Sequence, residues 1–113
     1  MIHLIDSEKI FAYRALAFAR KDESSLPGFD ENNYVDEVDV SNRTIKDLME
    51  EFALTRKMTI QTFKHFTEEN LNHKGTASQN KISVRAIGHV IIGHEMHHRQ
   101  VIQDRYLGKE TKI

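Results

Sequence analysis

An all-α, up-down helical bundle is the fold class this sequence predicts, and three observations predict it. Long segments at about residues 2–20, 42–72 and 82–107 carry their apolar residues at helical spacing. Two breaks separate them, "LPGF" running into an acidic stretch and "HKGTASQNK" from His73 to Lys81. The chain of 113 residues is long enough for one modest core and one domain, spanning 1–113. Long helices joined by loops then pack antiparallel as a bundle.

The first segment is apolar nearly all round. Ile5, Ala12, Leu16 and Ala19 lie opposite the arc holding Ile10, Ala17 and Phe18, and only Asp6, Ser7, Glu8, Lys9 and Arg14 interrupt it. Such a helix needs neighbours on several sides, which predicts self-association as a homodimer. Asp22 to Val40 reads as an ordered loop, with Pro27-Gly28 at the centre of a type II turn and Phe29, Tyr34, Val35 and Val38 as anchors. The second segment opens with Ser41 or Asn42 as cap. Its apolar positions Ile45, Met49, Phe52, Ile60, Phe63 and Leu71 define one face of a helix on the order of 45 Å long.

Composition excludes several classes. The formal net charge is −1, so no field draws in nucleic acid or anionic lipid. No apolar run approaches the roughly 20 residues of a membrane span, and no basic n-region followed by an apolar h-region is seen, so a signal peptide is not expected. With no cysteine there are no disulfides and no thiolate ligands, so a metal would be held by nitrogen and oxygen. The expected location is the cytoplasm.

The third segment contains "IGHVIIGHEMHHRQVI", with four of the seven histidines. With His94 at zero on a helical wheel, His98 falls at roughly 40° and Ile87 at roughly 20°. His94 and His98 therefore sit within the apolar stripe that faces the interior, while His97 lies at its edge and His89 points away. Imidazoles four residues apart have Cβ atoms roughly 6 Å apart and both reach one ion. A shared cation relieves the cost of burying them; hydrogen bonds from each ring to a carboxylate or carbonyl would relieve it too. A third ligand must come from another helix. His3 is the best placed, ahead of His65 and His73, and three histidines leave coordination positions open for chemistry.

The letters "HEMHH" also satisfy the zinc-protease pattern H-E-x-x-H, with Glu95 as general base. Against that reading, no histidine follows His98, and no strand is expected to line a cleft.

Taken together, "HLIDSEKIFAYRALAFARKD", "LPGFDENNYV" and "IGHVIIGHEMHHRQVIQDRY" resemble the DinB-like (YfiT-like) family, in order and over nearly the whole chain. The resemblance implies a four-helix bundle, often dimeric, with a divalent metal such as Zn or Ni held by three histidines. Carried over by position, these are His3, His94 and His98. It also implies a small-molecule thiol S-transferase using a low-molecular-weight thiol such as bacillithiol or mycothiol, or a metal-dependent hydrolase. Either chemistry suits a three-histidine site, with Glu95 as a proton shuttle. Relatives place another helix before the segment matching "HLIDSEKIF", so the first helix of the bundle is expected to be lacking here. A bundle that binds metal or dimerises without catalysis is the alternative. Arg56, central in the second segment's apolar arc, either holds an anionic substrate group or pairs with Asp6, Glu8 or Glu95; Arg14, on the His3 arc, permits the same two roles.

Overall fold

The structure, a computed structural model, describes residues 2–102, with the side chains of Glu31 and of residues 98–102 outside the description. The predicted continuation of the last helix to 107 lies outside the described residues. Three long helices dominate: α1 (Ile2–Ala19), α3 (Ile45–Lys64) and α5 (Val84–Ile102). Between them lie the short helices α2 (Glu31–Asp36) and α4 (Glu68–Asn72) and a hairpin of β1 (Lys74–Ala77) and β2 (Asn80–Ser83). The molecule is a helical bundle with a small two-stranded addition.

Helix α1 is the axle of the molecule. It packs on α5 along one side and on α3 along another, whereas α3 and α5 approach each other less closely and meet through side chains, Arg56 with Glu95 and Phe63 beside Gly88. Ala15, Ala17, Phe18 and Ala19 join Ala77, Val84, Ile87 and Ile91 in the core, with Ile5 also buried. The all-round apolar character of α1 is thus largely met within one chain, although Tyr13 and Leu16 remain exposed. The helix ends in a Schellman arrangement: Asp22 N–H donates to Ala17 O and Lys21 N–H to Phe18 O, both at 3.0 Å. Lys21 takes the left-handed φ of 63° usually left to glycine there.

Four expectations need correction. The second segment is not one helix over 42–72. Thr44 caps α3, not Ser41 or Asn42, and the helix stops at Lys64. Thr67 then opens α4 with a capping box, its side chain accepting from Asn70 N–H while the Asn70 side chain accepts from Thr67 N–H. That reciprocal pair satisfies the donors of a new helix start, and Phe66 turns back onto Phe63, ring centroids 5.1 Å apart. The buried face of α3 is also rotated. Leu48 and Thr59 are buried, but Ile45, Met49 and Ile60 are more than half exposed.

The break at His73–Lys81 holds the hairpin, in register from Lys74 opposite Ser83 to Ala77 opposite Asn80. Its two-residue turn has Ser78 and Gln79 at φ 50° and 68°, the sign pattern of a type I′ turn without its usual Asn-Gly. Gly75 is required in β1, because a Cβ there would come within 2.2 Å of the buried Phe18 ring. Lastly, Gly28 has no positive φ, so Pro27-Gly28 forms no type II turn. The chain there runs extended beside the hairpin: Leu26 N–H donates to Thr76 O (2.9 Å) and Ser78 N–H to Leu26 O (3.0 Å). Asp30 then caps α2 by accepting from the backbone N–H groups of Asn32 and Asn33.

Helix α3 is tied to α1 near its start by charge. Lys9 Nζ and Arg43 Nη2 each donate to Glu51 at 2.6 Å. These hydrogen bonds hold the Glu51 carboxyl below its ordinary value of 4.5. A carboxyl depressed on folding contributes stability above its unfolded pKa and loses it as pH falls through the lower folded value. Glu51→Gln should therefore flatten the acid limb of the stability curve below about pH 4.5 and leave its shape near neutrality. Thermal midpoints measured from roughly pH 3 to 7 check this; an unchanged acid limb would remove Glu51 from the account.

Candidate metal centre

His3 lies in the first turn of α1 and His94 in the second half of α5, and packing of those helices brings the two rings together. Their Nε2 atoms are 3.3 Å apart, with ring centroids at 5.1 Å and planes at 86°. Two nitrogens bound to one tetrahedral ion at roughly 2.0–2.1 Å stand about 3.3–3.4 Å from each other. The observed gap is that of two ligands converging on a shared point, and equally that of one ring N–H donating to the other ring's lone pair. Both rings are half-buried. Phe11 covers His94 edge-on, at 6.0 Å between centroids.

His98 stands one turn beyond His94 in the backbone of α5, and its side chain lies outside the described residues. Among the described residues no group of three histidine or carboxylate donors surrounds one point. His89 and His97 are exposed. His65 and His73 occupy the C-caps of α3 and α4.

Glu95 is turned toward α3, where its Oε1 accepts from Arg56 Nη1 at 3.0 Å. Arg56 also donates from Nε and Nη2 to Glu8, at 2.9–3.2 Å, and lies 5.3 Å from the Phe52 ring centroid. One guanidinium thereby joins α1, α3 and α5. The hydrogen bonds that Arg56 donates to Glu8 raise its pKa against the opposing effect of burial. Of the two roles open to Arg56, the structure displays the pairing with Glu8 and Glu95.

Ser7 and Phe11 were not singled out by sequence reasoning. Ser7, one turn after His3, is fully buried, and among the described residues its Oγ has no hydrogen-bond partner. The signal was available, since Ser7 and Phe11 continue the i, i+4 ladder from His3 along the face of α1 that meets α5. The hairpin corrects the expectation of no strand, yet it abuts the start of α5. Val84 is about 15 Å along the helix from His94, so these strands do not flank the H-E-x-x-H letters.

Fold and site together define a helical bundle with a histidine pair shared between its central and last long helices. The chain belongs to the DinB superfamily, whose sequence profile matches residues 1–102. No curated protein and no solved structure matches it. No described helix is long and apolar enough to cross a membrane.

Proposed function

We propose that this protein is a divalent-metal-dependent enzyme acting on a small molecule, as a thiol S-transferase or a hydrolase. The observation that carries the reading is the 3.3 Å approach of His3 Nε2 to His94 Nε2 across a helix boundary. His3, His94 and His98 would hold the ion, Zn or Ni. When bound, such an ion lowers the pKa of a water or thiol so that a nucleophile is available near neutral pH. The chain's own residues do the rest. Packing of α1 on α5 holds His3 and His94 in place before any ligand arrives, and Phe11 shields one side of His94 from water. The Glu95 carboxylate, held at Oε1 by Arg56, takes up the proton released from the substrate.

The test is metal analysis of purified protein, followed by assays of thiol-dependent conjugation and of ester or amide hydrolysis, with and without added Zn²⁺ or Ni²⁺. The expected result is about one ion per chain and turnover that follows the metal. A full metal complement with no turnover on either class would assign the bundle to non-catalytic binding. Protein that takes up no metal would end the reading altogether.

A further inference from the structure

A cleft of about 260 Å³ opens between α1, the hairpin and α5. Arg14, Lys81, Ser78 and Asn80 are among its polar lining, Phe11 and Val90 are among its apolar walls, and among the described residues no carboxylate lines it. We propose that this cleft binds the carboxylate end of an elongated small-molecule substrate whose other end reaches the histidine pair. The catalytic role of that ligand rests on the metal-dependent reading above; its binding does not.

Arg14 is the main reason. Its half-buried guanidinium donates from Nη2 to Pro27 O at 2.8 Å and stands 5.9 Å from the centroids of both Phe11 and Phe29. Among the described residues no carboxylate pairs with it, and burial lowers its pKa with no anion to offset the effect. Arg56, by contrast, has two carboxylates. A guanidinium has five N–H donors in a planar fork that matches a carboxylate. Ring faces hold Arg14 in place, a carbonyl uses part of the fork, and the cleft lies beside the rest. Lys81 adds a second cation at the rim, so among the described residues the cleft has two positive groups and no negative one. The apolar walls favour an oxyanion carried on a hydrocarbon body over a free inorganic ion.

The cleft leads toward the histidines. Phe11 lines it and also packs edge-on against His94, and Val90 stands one turn before His94 on α5. The rise of α1 from His3 to Arg14 is about 16 Å. Allowing for the reach of the guanidinium, a ligand anchored at Arg14 needs on the order of 10 Å between its carboxylate and its reacting atom.

The experiment uses metal-free full-length protein and three probes, 4-phenylbutanoate, 4-phenylbutanamide and inorganic phosphate, followed by amide NMR titration. The carboxylate should shift Phe11, Ile82 and Val90, and the amide should bind at least about tenfold more weakly. Arg14→Lys, which keeps the charge and loses the fork, should weaken the carboxylate severalfold. Because Arg14 also holds the Pro27 carbonyl, Lys81→Glu serves as a second variant at an exposed position, with the same loss expected. His65→Ala, at the exposed C-cap of α3 and outside the cleft, should bind the carboxylate as the wild type does. Equal binding of acid and amide, or no effect of Lys81→Glu, would overturn the proposal. So would phosphate displacing 4-phenylbutanoate at the lower concentration, which would mark a site for free oxyanions. Carboxylate binding in a protein that never takes up metal would keep the cleft and remove the metal reading; the reverse result would do the opposite.

Discussion

His94→Ala protein should carry less than about one-hundredth of the metal affinity of the wild type while keeping its helical content. Losing a ligand is a larger change than losing the groups behind it, which alone costs roughly 10–100-fold. The fold should survive because His94 is only half-buried and the fully buried Ile87 and Ile91 of the same helix remain in the core. His3→Ala should match it, since the two Nε2 atoms stand 3.3 Å apart, within reach of one ion. His98→Ala should do the same if the third ring joins them. His97→Ala, on the exposed side of the same helix, should bind metal as the wild type does. Metal content after dialysis and a competition titration against a chromophoric chelator provide the measurement. Equal affinity across His3, His94 and His97 variants would mean that the pair is a packing contact.

The largest effect on stability should come from Arg56→Ala. Glu8 is 4% exposed, and Arg56 donates to both of its oxygens. Truncating the arginine leaves a carboxylate in the interior with its main partner gone, a change that typically costs about 3–5 kcal/mol. For a chain of this length that corresponds to a fall in thermal midpoint of roughly 10–20 °C. The double variant Glu8→Met with Arg56→Met should recover most of the loss, because replacing a buried ion pair by apolar groups of similar volume is often neutral. Thermal and urea unfolding of the two single variants and the double variant complete the cycle. A cost below about 0.5 kcal/mol for Arg56→Ala would show that water reaches Glu8 freely.

Much of this arrangement is legible in the chain, and the parts that are not have identifiable causes. Wheel geometry puts His94 on the inward arc because Ile87 and Ile91 lie close beside it, and the structure buries both. His3 is harder, since a single histidine in a first turn has no periodic partner on its own segment. It meets His94 only because α1 lies against α5 at that height. The misplaced face of α3 has a chemical origin. Apolar spacing points to Ile45, Met49 and Ile60, but Arg56 faces Glu8 and Glu95, so the inward side of α3 carries the buried Leu48 and Thr59 together with a guanidinium. The interruption at His65–Phe66 depends on Thr67 and Asn70 exchanging hydrogen bonds, a cue three residues long inside an otherwise helical run. The hairpin has no glycine at its turn, and left-handed Ser78 and Gln79 carry no strong local signature.

Because α3 and α5 each pack along α1 and meet one another through side chains, Arg56 with Glu95 and Phe63 beside Gly88, the molecule has a tolerant half and an intolerant half. The spacing between His3 and His94 is set by α1 and α5, so sequence drift on the outer surface of α3 is cheap so long as Arg56 keeps its grip. A small displacement of α5 changes that spacing directly. New binding specificities could therefore be grafted onto α3 by successive neutral steps, while the α1–α5 seam keeps the histidine pair in place.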